Sequence, residues 1–158
     1  MRIVTSGFNE VIGIVRNITA RKEMEQRLET LSNHDALSGL YNRGYFEREL
    51  QRLESKNITD VGIIVFDVDG LKIFNDSLGH SKGDELLVAA TNILKSSFND
   101  DAVLCRIGGD EFAVIIHSNS TDTFNDVIRM IDNKIVQYNS NNPIMPLSLS
   151  SGYAINRK

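Results

Sequence analysis

The chain has 158 residues, 41% of them hydrophobic and 24% charged, which is the make-up of one ordinary soluble domain with enough apolar content for a core. A net charge of −4 without a clustered Lys/Arg tract argues against binding a nucleic-acid polymer by bulk electrostatics. The single cysteine, Cys105, excludes an intrachain disulfide and suits a cytoplasmic setting; no apolar run reaches membrane-span length, so no membrane contact is expected.

In chain order, Met1 to Asn17 holds a Gly-punctuated apolar stretch, Asn9 to Val15, too short to own a core. It reads as a strand cut from a larger domain, and Glu10 to Thr19 resembles the closing strand of a PAS sensor module. Ile18 to Ser32 reads as an amphipathic helix that Thr19 could cap. Met24, Leu28 and Leu31 fall at spacings of 4 and 3, a narrow coiled-coil-like seam with Glu23, Glu25, Arg27 and Glu29 off it. The alternative is a helix packed on its own domain. The seam is preferred, and it predicts a parallel helical pair and hence a homodimer.

From Gly44 to Ser55, Phe46, Leu50 and Leu53 sit at helical spacing. Val61 to Phe66 is β-branched and apolar apart from Gly62, the pattern of a buried strand. Ser81 is a plausible cap for a helix ending near Phe98, with Leu86, Leu87, Ala90, Ile93 and Leu94 on its apolar face. Two apolar runs, Ala102 to Ile107 and Phe112 to Ile116, flank Gly108-Gly109-Asp110-Glu111 and predict a β-hairpin whose glycines allow a reversal that side chains would obstruct. Phe124, Val127, Ile128, Ile131 and Ile135 mark a helix over Asp122 to Tyr138, and Leu147 to Ala154 reads as a strand. This order gives an α+β fold with one core. Cys105, inside a strand, reads as a small buried residue. His34, His80 and His117 lack zinc-ligand spacing.

Two stretches carry chemistry. Asp67 lies where the first strand leaves the core. If that strand persists, Asp67 and Asp69 share a face; a break near Gly70 would instead free the N–H groups of Gly70 and Leu71 to form an anion-binding concavity beside Lys72. The hairpin tip presents Asp110 and Glu111 as hard oxygen ligands suited to Mg²⁺. Either stretch alone also reads as a solvated acidic turn. Together they are the parts of a metal–nucleoside triphosphate site.

Four segments then resemble one family. Asp35 to Arg43, DALSGLYNR, is similar to its entry motif D-x-L-T-G-L-x-N-R, with Ser38 for Thr. Asp67 to Asp84, DVDGLKIFNDSLGHSKGD, resembles its D-x-D-x-F-K-x-x-N-D…G-H…G-D block, with Leu71 for Phe. Arg106 to Phe112, RIGGDEF, matches the signature that names the GGDEF domains, the diguanylate cyclases, and Ser150 to Ala154 resembles a late S-x-G-x-A strand. The resemblance runs from about Asn33 to the end. It implies a mixed, largely antiparallel central sheet with surrounding helices, like that of nucleotidyl cyclases and the polymerase palm.

The resemblance also implies a reaction and its residues: two GTP condense to cyclic di-GMP with release of two pyrophosphates. It assigns Asp67, the Val68 carbonyl and Asp110 to Mg²⁺ or Mn²⁺, with Glu111 assisting and Asp110 helping to deprotonate the 3′-hydroxyl. Gly70, Leu71 and Lys72 would contact the β- and γ-phosphates. Asn75 and Asp84 would read guanine, a carboxylate accepting from N1–H and the exocyclic amine and an amide meeting O6 or N7, with Leu87 walling the base. His80 reads as structural. As plain alternatives, Asn75 and Asp84 are turn and helix-start residues.

Two departures from the family are expected to matter. The family continues past the S-x-G-x-A strand into a helix whose Lys and Arg grip the triphosphate; a chain ending at Lys158 is expected to bind GTP weakly or act as a GTP-binding regulatory module. Asn99-Asp100-Asp101-Ala102 stands where many members carry an R-x-x-D product-inhibition site, so no feedback inhibition is expected there. The organisation read from these features is a sensor remnant over 1–17, a linker helix over 18–32 and the GGDEF domain over 33–158.

Overall fold

Ten elements follow one another in the computed structural model, which describes residues 17–156. They are α1 (Thr19–Asn33), β1 (Tyr41–Asn42), α2 (Arg43–Ser55), β2 (Val61–Val68), α3 (Leu71–Leu78), α4 (His80–Lys95), β3 (Val103–Arg106), β4 (Glu111–Ile116), α5 (Thr121–Asn141) and β5 (Leu149–Asn156). The chain divides into two units, 1–32 and 33–158. In the first, the expected helix forms, but its cap differs: the Asn17 side chain, not Thr19, accepts the exposed N–H, here that of Thr19 at 2.9 Å. Met24 and Leu31 of the expected seam are exposed, whereas the Leu28 side chain and the PAS-like strand at Asn9 to Val15 lie outside the described residues.

The second unit is built on a mixed five-stranded sheet in the order β1-β3-β4-β2-β5. All its pairings are antiparallel except β1 with β3. The order follows from apolarity. β2 and β4 read as nearly unbroken apolar runs because both of their faces are covered. Ile64, Phe66, Val68, Phe112 and Val114 pack on one side with Leu86, Ala90 and Leu94 of α4 and Phe124, Ile131 and Ile135 of α5. On the other, Val61, Ile63, Ile115 and Val103 meet Phe46, Leu50 and Leu53 of α2. Helices therefore cover both faces of an α+β sheet, and Cys105 is buried in it, its thiol pushed up to about 12 chiefly by burial.

Several boundaries differ from the sequence expectation for local reasons. The helix expected to start at Ser81 begins at His80 with Gly79 as its N-cap, and it ends at Lys95 rather than near Phe98. A whole helix, α3, and the two-residue β1 were not expected. Short amphipathic α3 is announced by Gly70, whose φ of +72° turns the chain from β2 into the first helical turn without a Cβ penalty. β1 is too short to leave a periodic pattern.

Candidate active site

The acidic rim is set by strand register. Asp67, in the last turn of the β2 ladder, lies directly across from Glu111, the first residue of β4. The next pair closes the approach: the Val68 N–H donates to the Asp110 carbonyl at 3.0 Å, and the return bond from the Asp110 N–H is not made. In an antiparallel ladder the N–H and C=O of one residue point to the same neighbour, so the Val68 carbonyl faces the hairpin tip with no backbone donor on it. Asp67, Asp110 and Glu111 thus converge at one end of β2 and β4. The consequence is visible in Asp67: burial, then the charges of Asp110, Asp69 and Glu111, push its carboxyl above the ordinary aspartate value.

Asp69 leaves this rim. β2 ends at Val68, and Asp69 turns toward β5, where its N–H donates to the Ser148 carbonyl and its carboxylate accepts from the hydroxyls of Ser148 (2.6 Å) and Ser150 (2.7 Å). Those hydroxyls hold its carboxyl below the usual range. Of the two positions that would share a face on a continuing strand, only Asp67 remains with the hairpin.

The tip itself is a four-residue reversal, Ile107 to Asp110. The Glu111 carbonyl accepts from the N–H groups of Ile107 (2.9 Å) and Gly108 (3.3 Å). Neither glycine has a positive φ, so what matters is the space that a side chain would take. A Cβ on Gly108 would run into the Glu111 carboxylate, whereas one on Gly109 would meet open space. Gly108 is therefore what lets Glu111 fold back against the turn.

A second group of residues holds this tip from behind. Arg106 spans the entry motif and the hairpin: it donates to the Asp35 carboxylate at 3.1 Å and to the Gly109 carbonyl at 2.6 Å. Asp35 also accepts from the Ser38 N–H (2.8 Å) and hydroxyl (2.7 Å). Burial opposes ionisation of Asp35, but Ser38 and Arg106 outweigh it and hold the carboxyl below its ordinary value. Lys95 at the end of α4 donates to the Ser38 carbonyl at 3.1 Å, and Asn42 accepts from the Tyr45 N–H at 3.0 Å to cap α2. The role of Arg106 as a brace was not read from the sequence, because its partner lies 71 residues away.

The remaining expected residues distribute unevenly. Gly70 caps α3, and Leu71 and Lys72 open its first turn, where helical N–H groups have no intrahelical acceptor. Lys72 and Asp84 are exposed. Asn75, on α3, has its Oδ1 buried without a hydrogen-bond partner. Leu87 is a correction: only 4% exposed and part of the main core, it offers almost no surface to wall a base. His80 is exposed at the start of α4. A cavity of about 710 Å³ between α4 and α5, lined by Val88, Lys134 and Tyr138, includes none of these residues.

Among the described residues no group of three or more His, Cys, Asp or Glu side chains gathers closely enough to hold a metal unaided. Two carboxylates with a main-chain carbonyl remain, and their mutual repulsion, expressed at Asp67, is what a hard divalent cation would relieve. No described helix is long and apolar enough to cross a membrane.

An antiparallel core sheet with converging carboxylates at one end, beside the open first turn of a helix, is the architecture of nucleotidyl cyclase and polymerase-palm domains. The family model for the GGDEF domain of diguanylate cyclases matches residues 32–158, and the chain belongs to that family. It is 35% identical over 113 residues to diguanylate cyclase DgcM of Escherichia coli K12, an alignment covering 70% of this chain and 28% of DgcM. It is 33% identical over 110 residues to cyclic di-GMP phosphodiesterase PdeB of Shewanella oneidensis, covering 68% of this chain and 13% of PdeB. The chain thus spans less than a third of either relative. Its fold is that of the coiled coil and GGDEF domain of DgcB from Caulobacter crescentus, crystallised with c-di-GMP: TM-score 0.77, 24% identity, 89% of this chain and 78% of that one.

Proposed function

We propose that the chain condenses two GTP molecules into cyclic di-GMP and two pyrophosphates, as a homodimer driven by a sensor upstream of residue 18. The observation that carries the reading is the meeting of Asp67, Asp110 and Glu111 at one end of β2 and β4, beside the open first turn of α3, where burial and then the neighbouring charges raise the Asp67 carboxyl above its ordinary value.

Each subunit binds one GTP. The N–H groups of Gly70 and Leu71 and the Lys72 ammonium take the β- and γ-phosphates at a helix N-terminus, where dipole and donors favour anions. Asn75 and Asp84 read the guanine edge; adenine, lacking the N1–H and 2-amino donors, would leave Asp84 without partners. Asp67, the Val68 carbonyl and Asp110, assisted by Glu111, would hold Mg²⁺ or Mn²⁺, which supplies Lewis-acid stabilisation of charge on the phosphoryl oxygens. Asp110 accepts the proton of the 3′-hydroxyl as that oxygen bonds to the α-phosphorus of the facing GTP and the bond to pyrophosphate breaks. Arg106, braced by Asp35, keeps the tip at the height that this transfer requires. The Asn99 to Ala102 turn has no arginine to clamp a product phosphate, so the product does not inhibit through it.

Incubation with GTP and Mn²⁺, followed by nucleotide chromatography, tests the reading. Cyclic di-GMP is the expected product. Bound but unconverted GTP would replace it with a regulatory GTP-binding module, a reading that the match to a protein named as a phosphodiesterase keeps in play. Absence of GTP binding would refute both.

A further inference from the structure

Gly83 lies in the first turns of α4, one position before Asp84, and is buried. A Cβ placed on it would fall onto the Oδ1 and Cγ of Asn75. Glycine inside a helix costs stability relative to alanine, so its presence here calls for a return elsewhere. The return is local. α3 and α4 meet at Gly79, whose N–H donates to the Asn75 carbonyl at 2.9 Å, and this corner stacks the Asn75 side chain directly on the Gly83 backbone. Oδ1 is buried there without a hydrogen-bond partner, which leaves Nδ2 as the donor available to a ligand.

We infer that Gly83 is a positioning residue for base selection: its missing side chain seats the Asn75 carboxamide so that Nδ2 faces O6 of guanine, which adenine replaces with an amine. This rests on the reading of Asn75 and Asp84 as guanine contacts. The blocking atoms belong to a short side chain that can swing aside, so a methyl at position 83 displaces the carboxamide and spares the fold. An ordinary helix-packing glycine would show no such dependence on Asn75.

Calorimetric titration of GTP and of ATP, each with Mg²⁺, into wild type, Asn75→Ala, Gly83→Ala and the double variant tests this, with a thermal melt of each. Asn75→Ala and Gly83→Ala should each cut the preference for GTP over ATP about tenfold, the loss expected for one hydrogen bond, and the double variant should lose no more than either. Gly83→Ala should melt close to wild type. In the Asn75→Ala background it should raise the melting temperature, because the obstructing group is gone and alanine favours the helix. Full GTP preference in Gly83→Ala, additive losses in the double variant, or a lowered melting temperature on adding Gly83→Ala to Asn75→Ala would each overturn the inference. Unchanged preference in Asn75→Ala would instead refute the guanine reading on which it stands.

Discussion

Asp35 and Asp67 both bear on the turn at Gly108 to Asp110, one through Arg106 and the other across the β2–β4 ladder, and their surroundings drive them in opposite directions. Asp35 is met by a hydroxyl, an N–H and a guanidinium, and its carboxyl is pulled down. Asp67 is met by burial and three further carboxylates and is pushed up. The first arrangement spends charge on holding a turn still. The second leaves charge uncompensated at an open rim, where folding alone gains nothing from it. That uncompensated charge is what the proposed cation would relieve.

The comparison can be broken in order of expected effect. Asp110→Asn should lower cyclic di-GMP formation by about a hundredfold or more, measured by chromatographic rate assay, since it removes a charge the proposed transfer needs. Near-normal turnover would mean the rim is not the reaction centre. Asp67→Asn should abolish the rise in melting temperature that Mg²⁺ gives wild type, a gain of about 2.7 kcal/mol at a concentration a hundred times Kd. In metal-free buffer the same variant should melt at or above wild type near neutral pH.

The sign of the pH dependence separates the two aspartates further. A carboxyl raised on folding contributes stability at low pH that is lost as pH climbs through its folded value. Asp67→Asn should flatten that loss in the weakly acidic range. Asp35, lowered on folding, contributes stability above its unfolded value that disappears as pH falls through the folded one. Asp35→Asn should cost roughly 1–2 kcal/mol at neutral pH by denaturant titration, because Arg106 keeps a buried, unpartnered Nε and loses its charged acceptor. The cost should vanish in strong acid. Smallest of all, Ser148→Ala should cost about 0.5–1 kcal/mol, as Asp69 keeps Ser150 as a donor. A larger loss would show that Asp69 is more than a tie between β2 and β5.

Much of this was legible in the chain itself. Apolar runs at Val61 to Phe66 and Phe112 to Ile116 named the two central strands because burial on both faces leaves no polar positions to interrupt them. Helical stripes over 44–55 and 122–138 named α2 and α5 for the matching reason, one apolar face each. Asp67, Asp110 and Glu111 were visible as acids at the ends of those runs. What stayed hidden were features whose signal is a distant partner or a single residue. α3 is eight residues long and rests on the left-handed Gly70, and β1 exists only by pairing with β3. Leu87 looked as available as any apolar residue of α4 until packing placed it inward.

Local patterning thus determined the elements and the acid positions, since periodicity and turn chemistry act within a few residues. Register decided the rest. That Asp67 stands opposite Glu111 while Asp69 is captured by Ser148 and Ser150, that Arg106 reaches Asp35, and that Gly83 lies under Asn75 are consequences of how strands and helices pair across the fold. Sequence spacing cannot specify such pairings, because one shared core satisfies all the elements at once.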